Sequence, residues 1–330
     1  MKNAVVILAA GNGTRMRSAI PKVLHKACGR SLVQWAVCAA EETGAKPIVV
    51  YGSGGNAVPE ALGERAIYAL QAERKGSGHA VMAAEAAIRE SGAENIAIIA
   101  GDMPLVRAET VGRLFEMLET SGKDAAMLTG RVEEPFGYGR ILRNTAGDVV
   151  GIVEEKDATA EQKLITEVNI SFYAFKTSAL LSALPRIQPN NAQGEYYITD
   201  AIGILAEEGG VCAEEVQDMS ECAGVNDRAQ LAEAEAMLRR RINTAHMKAG
   251  VRLIDPEATY IDADVEIGKD ATIYPGTVLE GNTVIGEGAV IIGGRLVDSV
   301  VGDGAEVMYT VAERAGIEAG VKVGPYVHLA

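Results

Sequence analysis

Residues 8–22 read LAAGNGTRMRSAIPK, directly after the apolar run Ala4-Val5-Val6-Ile7. A short buried strand that breaks into a glycine-containing loop with three cations has the form of the first strand-to-helix connection of an α/β domain. Gly11 and Gly13 allow a sharp turn and let backbone amides approach an anion. Arg15 can grip phosphate through paired N–H groups, and Lys22, fixed after Pro21, supplies a compact point charge. Two nucleotide motifs fail here. Counted from Gly11, the P-loop pattern needs Gly and Lys where Met16 and Arg17 stand, and the dinucleotide fingerprint needs a third glycine at Met16. On the loop alone, an ordinary turn carrying solvated cations is an equal reading.

Further along, strand-like and helix-like segments alternate. Ala4–Leu8, Pro47–Tyr51 and Ile96–Ala100 read as buried strands; 32–43, 60–62 and the segment around 79–88 read as helical. This rhythm predicts a largely parallel sheet whose ligands collect at the carboxyl ends of the strands. From Asp124 to about Val225 the pattern is richer in strand. Asn226-Asp227 then opens a polar helix, roughly 229–248, with Asn226 as a candidate N-cap, Leu231, Met237, Leu238 and Ile242 on one side, and a stop at Gly250.

Beyond Val265 the period changes. Ile267, Ile273, Leu279, Ile285 and Ile291 recur at every sixth position, with Val278, Val284 and Val290 one residue earlier in three successive units. After a less regular stretch the pattern resumes at Ile317 and Val323. A six-residue period fits neither a helix nor an alternating strand and predicts a hexapeptide β-helix; an ordinary antiparallel domain is the weaker alternative. Stacked coils leave a terminal coil and flat faces that oligomerisation covers.

The 330 residues, 48% of them hydrophobic, are enough for two domains or more. Residues 1–10 are too short for a membrane span and poor as a signal peptide, which points to a cytosolic protein. Forty-five carboxylates against 31 basic residues give a formal charge of -14, which argues against nucleic acid and anionic membranes as partners. Cys28, Cys38, Cys212 and Cys222 lack the spacing of a zinc site or a disulfide framework and read as free thiols. His25, His79, His246 and His328 show no pairing pattern, and none is assigned to catalysis.

The 8–25 stretch resembles the signature of sugar-nucleotide-forming nucleotidyltransferases. Further stretches narrow the likeness: QAERKGSGHA from Gln71, GDMPL from Gly101, GYGRI from Gly137, IVEEKDA from Ile152, EVN from Glu167, NNAQGEYYITD from Asn190 and GVNDR from Gly224. In this order, followed by the helix and the hexapeptides, the whole chain resembles the bacterial bifunctional N-acetylglucosamine-1-phosphate uridyltransferase/glucosamine-1-phosphate acetyltransferase family. The resemblance implies a Rossmann-like nucleotidyltransferase domain over 1–225, a linker helix over 226–250 and a left-handed parallel β-helix over 251–330, the last supporting a homotrimer. It also implies UTP and N-acetylglucosamine 1-phosphate as substrates, with pyrophosphate released, and Mg2+ as cofactor.

Carried over residue by residue, the resemblance places Arg15 and Lys22 on the triphosphate as the catalytic cations. Leu8, Ala9, Ala10 and Gly11 would line the uridine and ribose through their backbone, and Gln71, Gly76 and Ser77 would read the uracil edge. Asp102 and Asn226 would hold the metal, and Gly139, Glu154 and Asn169 the sugar. Two departures are visible. Ser77 stands where relatives carry threonine, and Asn169-Ile170-Ser171 stands where they show Asn-Thr-Gly, so the strand beside the sugar is expected to be shaped differently. Singly, several of these residues have plainer readings: Gln71 a surface amide, Asp102 a turn or cap, Glu154 part of a solvated charge run. In the family the β-helix continues for more coils that carry the acetyltransferase site; this sequence ends after roughly four coils, so that second activity is not expected from it. The rivals are a nucleotidyltransferase for another sugar phosphate and a non-catalytic scaffold subunit.

Overall fold

The computed structural model describes residues 2–330, which divide into two compact units: 2–25 with Leu32–Asp227, and Lys26–Ser31 with Arg228–Ala330. In chain order the elements are β1 (Asn3–Ala9), the short strands β2 (Lys26–Ala27) and β3 (Arg30–Ser31), α1 (Leu32–Glu42), β4 (Lys46–Gly52), α2 (Ala57–Leu62), β5 (Ile67–Gln71), α3 (Ser77–Ala83), α4 (Glu85–Ser91) and β6 (Asn95–Ala100). There follow α5 (Ala108–Ser121), β7 (Ala125–Arg131), β8 (Arg140–Arg143), β9 (Val149–Val153), β10 (Glu167–Lys176), α6 (Thr177–Ala183), α7 (Thr199–Glu208), β11 (Val211–Glu215) and α8 (Arg228–Lys248).

The first unit is built on a nine-stranded sheet, ordered β11-β7-β10-β6-β1-β4-β5, with β8 and β9 attached through β10. β1 lies parallel between β4 and β6, which explains why it is apolar throughout: Ala4 and Val6 enter one core, Val5 and Ile7 the other. β10 runs antiparallel to both β6 and β7, so its amino end lies at the carboxyl ends of its neighbours. That reversal lets residues from distant parts of the chain meet along one sheet edge. The helical segment expected around 79–88 is broken at Ala84 into α3 and α4.

In the second unit the hexapeptides form a parallel β-helix with three strand columns. The inward residues stack in register: Ile273 opposes Ile291, Leu279 opposes Leu296 and Ile285 opposes Val301. Those three spacings are eighteen, seventeen and sixteen positions, so the coils shorten without losing their core. The irregular stretch is therefore not an interruption. Its corner is taken by Gly293 and Gly294 with φ of 66° and 101°, and a Cβ on Gly294 would fall 2.3 Å from the Thr310 carbonyl oxygen, so a wider turn is unnecessary.

Within that unit α8 begins at Arg228, so Asp227 and not Asn226 immediately precedes its first residue, contrary to the N-cap reading. Leu231 and Leu238 are buried, whereas Met237 is 45% exposed, because it falls off the stripe that Leu231, Ala234 and Leu238 define. Asn243 fastens the helix, its amide donating to the carbonyls of Pro256 at 2.7 Å and Thr259 at 3.0 Å. The hairpin of β2 and β3 belongs to this unit through a backbone bond from Ala263 to Cys28 and the pairing of Arg30 with Asp264. All four cysteines are free; burial, with Glu235 adding to it, pushes the Cys28 thiol up to about 12 and leaves it inert.

Candidate active site

The carboxyl ends of β1 and β6 are held side by side. Leu8 pairs with Ala100, and the Gly101 amide donates to the Leu8 carbonyl at 2.9 Å. Asp102 follows at once, and its backbone carbonyl accepts from the Val225 amide at 2.9 Å, which brings Asn226 beside it across more than a hundred residues of sequence. Lys22 arrives from the other side on a single 3-10 turn, Lys22–Leu24, started by Pro21. Its ammonium donates to Asp102 Oδ2 and, at 3.1 Å, to Asn226 Oδ1. The pair is well shielded, with side chains 10% and 22% exposed.

Gly13 makes this placement possible. It adopts φ 56°, and a Cβ there would lie 2.4 Å from the Lys22 Cβ, so the lysine stem packs against the bare backbone of the loop. Gly11 and Arg15 are exposed on the same loop, Arg15 with no ion pair among the described residues. Two hard oxygens, one carboxylate and one amide, thus converge on a single cationic nitrogen. That donor set fits Mg2+, which takes few protein ligands and fills its shell with phosphate oxygens and water. No group of three or more His, Cys, Asp or Glu gathers among the described residues.

Gln71 ends β5 and is buried, 3% exposed, so it is no surface amide. Its amide nitrogen donates to the Gly76 carbonyl at 3.1 Å and meets His79 Nδ1 at 3.2 Å, which leaves the carboxamide oxygen as its available acceptor. Gly76 has φ 101°, and any Cβ would collide with the Tyr196 carbonyl oxygen at 2.4 Å. The Ser77 hydroxyl accepts from the Ile198 amide at 3.1 Å, a partner the sequence did not announce. Arg74 was also missed: its Nε donates to the Ala10 carbonyl at 2.7 Å, tying the loop after β5 to the end of the Leu8–Gly11 segment. A lone arginine in a charged loop carries no periodic signal that could have singled it out.

Across the sheet, Gly139, Glu154 and Asn169 come together. A Cβ on Gly139 would lie 3.2 Å from Glu154 Oε2 and 3.3 Å from the Asn169 Cβ. Glu154 is half-buried and accepts from the Thr199 hydroxyl at 3.3 Å; burial raises its carboxyl above the ordinary range, with Asp157 and Asp200 adding to the rise. Asn169 Oδ1 accepts from the Tyr173 hydroxyl at 2.7 Å and the Ser171 amide at 3.1 Å, so its NH2 group is the part left to donate. The strand beside it does bulge between Asn169 and Phe172, and Ser171 takes φ 62° there. The serine therefore adopts the left-handed conformation that glycine adopts easily.

A largely parallel sheet with a glycine loop, a lysine and two metal-type oxygens at the carboxyl ends of β1 and β6 is the arrangement of a nucleotidyltransferase. The MobA-like NTP transferase domain model matches residues 5–166. The chain is 47% identical to the bifunctional protein GlmU of Caldanaerobacter subterraneus subsp. tengcongensis and 46% identical to that of Thermoanaerobacter pseudethanolicus, in each case over 98% of this chain and 71% of the relative. It therefore belongs to the bifunctional GlmU family, as its motifs suggested. Among solved structures, a UDP-glucose pyrophosphorylase complexed with UDP-glucose shares the fold, with TM-score 0.58 and 22% identity over 73% of this chain and all of the other.

Proposed function

We propose that this chain transfers the uridylyl group of UTP to N-acetylglucosamine 1-phosphate, releasing pyrophosphate and supplying an activated sugar for peptidoglycan. The observation that carries the reading is the convergence of Lys22, Asp102 and Asn226 beside the Gly11–Gly13 loop in a member of the GlmU family. Both reactants are anions, so the site's task is alignment and charge neutralisation. A phosphate oxygen of the sugar forms a bond to the α-phosphorus of UTP, and the bond from the α-phosphorus to the oxygen that bridges it to the β-phosphorus breaks, its electron pair leaving on that oxygen with pyrophosphate. No side-chain nucleophile is required.

Lys22 and Arg15 would meet the charge on the triphosphate and the leaving group. Asp102 and Asn226 would hold Mg2+, which offsets phosphate charge and fixes the orientation of the oxygens it binds. The Gln71 oxygen would accept from the uracil ring, with Gly76 and Ser77 shaping that edge and Leu8–Gly11 facing the ribose. Glu154 would accept from sugar hydroxyls, the Asn169 NH2 would donate to the sugar, and Gly139 would leave room for the ring. A trimer built on the β-helix and a cytoplasmic location belong to the same proposal; no helix among the described residues is long and apolar enough to cross a membrane. Purified protein with Mg2+ is expected to release pyrophosphate from UTP when N-acetylglucosamine 1-phosphate is added. A side-by-side panel of sugar phosphates and nucleoside triphosphates tests this, and a clear preference for another pair would replace the substrate assignment.

A further inference from the structure

Next to the sugar-side residues lies a buried charge that the reaction does not use. Arg140, the first residue of β8, is 1% exposed, which is rare for a guanidinium unless it is paired. Its Nη2 donates to Glu155 Oε2 at 2.7 Å and to the Lys163 carbonyl at 3.4 Å, while Nη1 donates to the Tyr138 carbonyl. Glu155 collects more: the Gly137 amide donates to its Oε2 at 3.2 Å, and Lys163 Nζ lies 3.5 Å from its Oε1. Three separate segments, 137–139, 154–157 and 162–164, thus hang on one ion pair. Each of the two partners is adjacent in sequence to a sugar-side residue, Arg140 to Gly139 and Glu155 to Glu154.

We propose that Arg140 and Glu155 form a clamp that positions Gly139 and Glu154, and so sets affinity for the sugar phosphate without touching it. This rests on the functional reading above. The geometry makes the argument. Arg140 pairs with Val153 across β8 and β9, and the Gly139 carbonyl accepts from the Asn169 amide at 2.9 Å, which fixes the backbone on either side but leaves a gap between the Tyr138 carbonyl and the Glu155 side chain. The guanidinium fills that gap: it holds the Tyr138 carbonyl from one side and the Glu155 carboxylate from the other, so the Gly139 backbone and the Glu154 carboxylate keep a constant separation. Arg rather than Lys suits this role, because only a planar fork can serve a carboxylate and two carbonyls from one rigid group. On the nucleotide side, Lys22, Asp102, Gln71 and Arg74 receive no bond from either partner.

The test uses the full chain and measures KM for both substrates by pyrophosphate release, with melting curves and circular dichroism to follow folding. Arg140→Met and Glu155→Ala are expected to raise KM for N-acetylglucosamine 1-phosphate roughly ten- to a hundredfold, as a displacement near 1 Å does, with KM for UTP within about twofold of wild type. Glu155→Gln, whose amide oxygen can still accept from Arg140, is expected to restore most of that loss, and Arg140→Lys little of it. Should Arg140→Met fail to fold, Arg140→Lys and Glu155→Gln decide on the same two constants. Unchanged sugar KM in folded variants overturns the clamp, and so does a parallel rise in both constants, which would mark general loosening. Absence of turnover in the wild type would instead remove the functional reading, and the clamp with it.

Discussion

Glu154, Glu155 and Lys156 are consecutive charges that take three different partners: the Thr199 hydroxyl, the Arg140 guanidinium and the Gln193 side chain. In sequence they are one solvated-looking run, and only the turn after β9 sends them in separate directions. Glu154 lies where burial and the neighbouring Asp157 and Asp200 make its carboxyl costly to ionise. Since its folded-state pKa lies above the ordinary value, the stability it contributes is present at acid pH and is lost as pH rises through the raised value. Glu154→Gln is therefore expected to shift the urea midpoint upward at pH 8 and to leave it unchanged at pH 4, while weakening sugar binding. Asp102→Ala is expected to abolish turnover with the fold retained by circular dichroism; normal turnover at low magnesium would reject its metal role.

Elements explain why these residues meet. The loop after β1 is shaped by Gly13, and Gly13→Ala would add a Cβ where Lys22 already sits, in a backbone conformation that costs about 1–2 kcal/mol for other residues. A lower melting temperature and roughly tenfold weaker UTP binding in titration calorimetry are expected. The bulge in β10 makes the opposite case. It inserts two residues, which preserves the alternation of faces, so Asn169 and Tyr173 remain on one side and bond to each other. Ser171 carries the strain of that bulge, and Ser171→Gly is expected to raise stability by about 0.5–1 kcal/mol in urea titration, with activity retained.

At the scale of the molecule, each unit has its own core, and every residue assigned to nucleotide, metal or sugar lies in the first. Saturation with UTP and Mg2+ is accordingly expected to slow hydrogen exchange at the carboxyl ends of β1, β5 and β6 and to leave the coils over 260–317 unchanged. Protection confined to the coils would contradict the site. The net charge of -14 fits this division of labour: an anionic substrate is admitted through a few fixed cations and not by a general field.

The amino-acid sequence by itself determined the two architectures, because hydrophobic period is a local property: a buried run such as Val5 to Ile7, and an isoleucine or leucine at every sixth position, each allow few structures. It also supplied the site's residue types through their motifs. Only the tertiary structure decided that Lys22, Asp102 and Asn226 share one position, that Gln71 is buried, and that Arg140 bonds to the Tyr138 carbonyl and the Glu155 carboxylate. Those are contacts between segments far apart in the chain, set by strand order and loop geometry, and no periodicity records them.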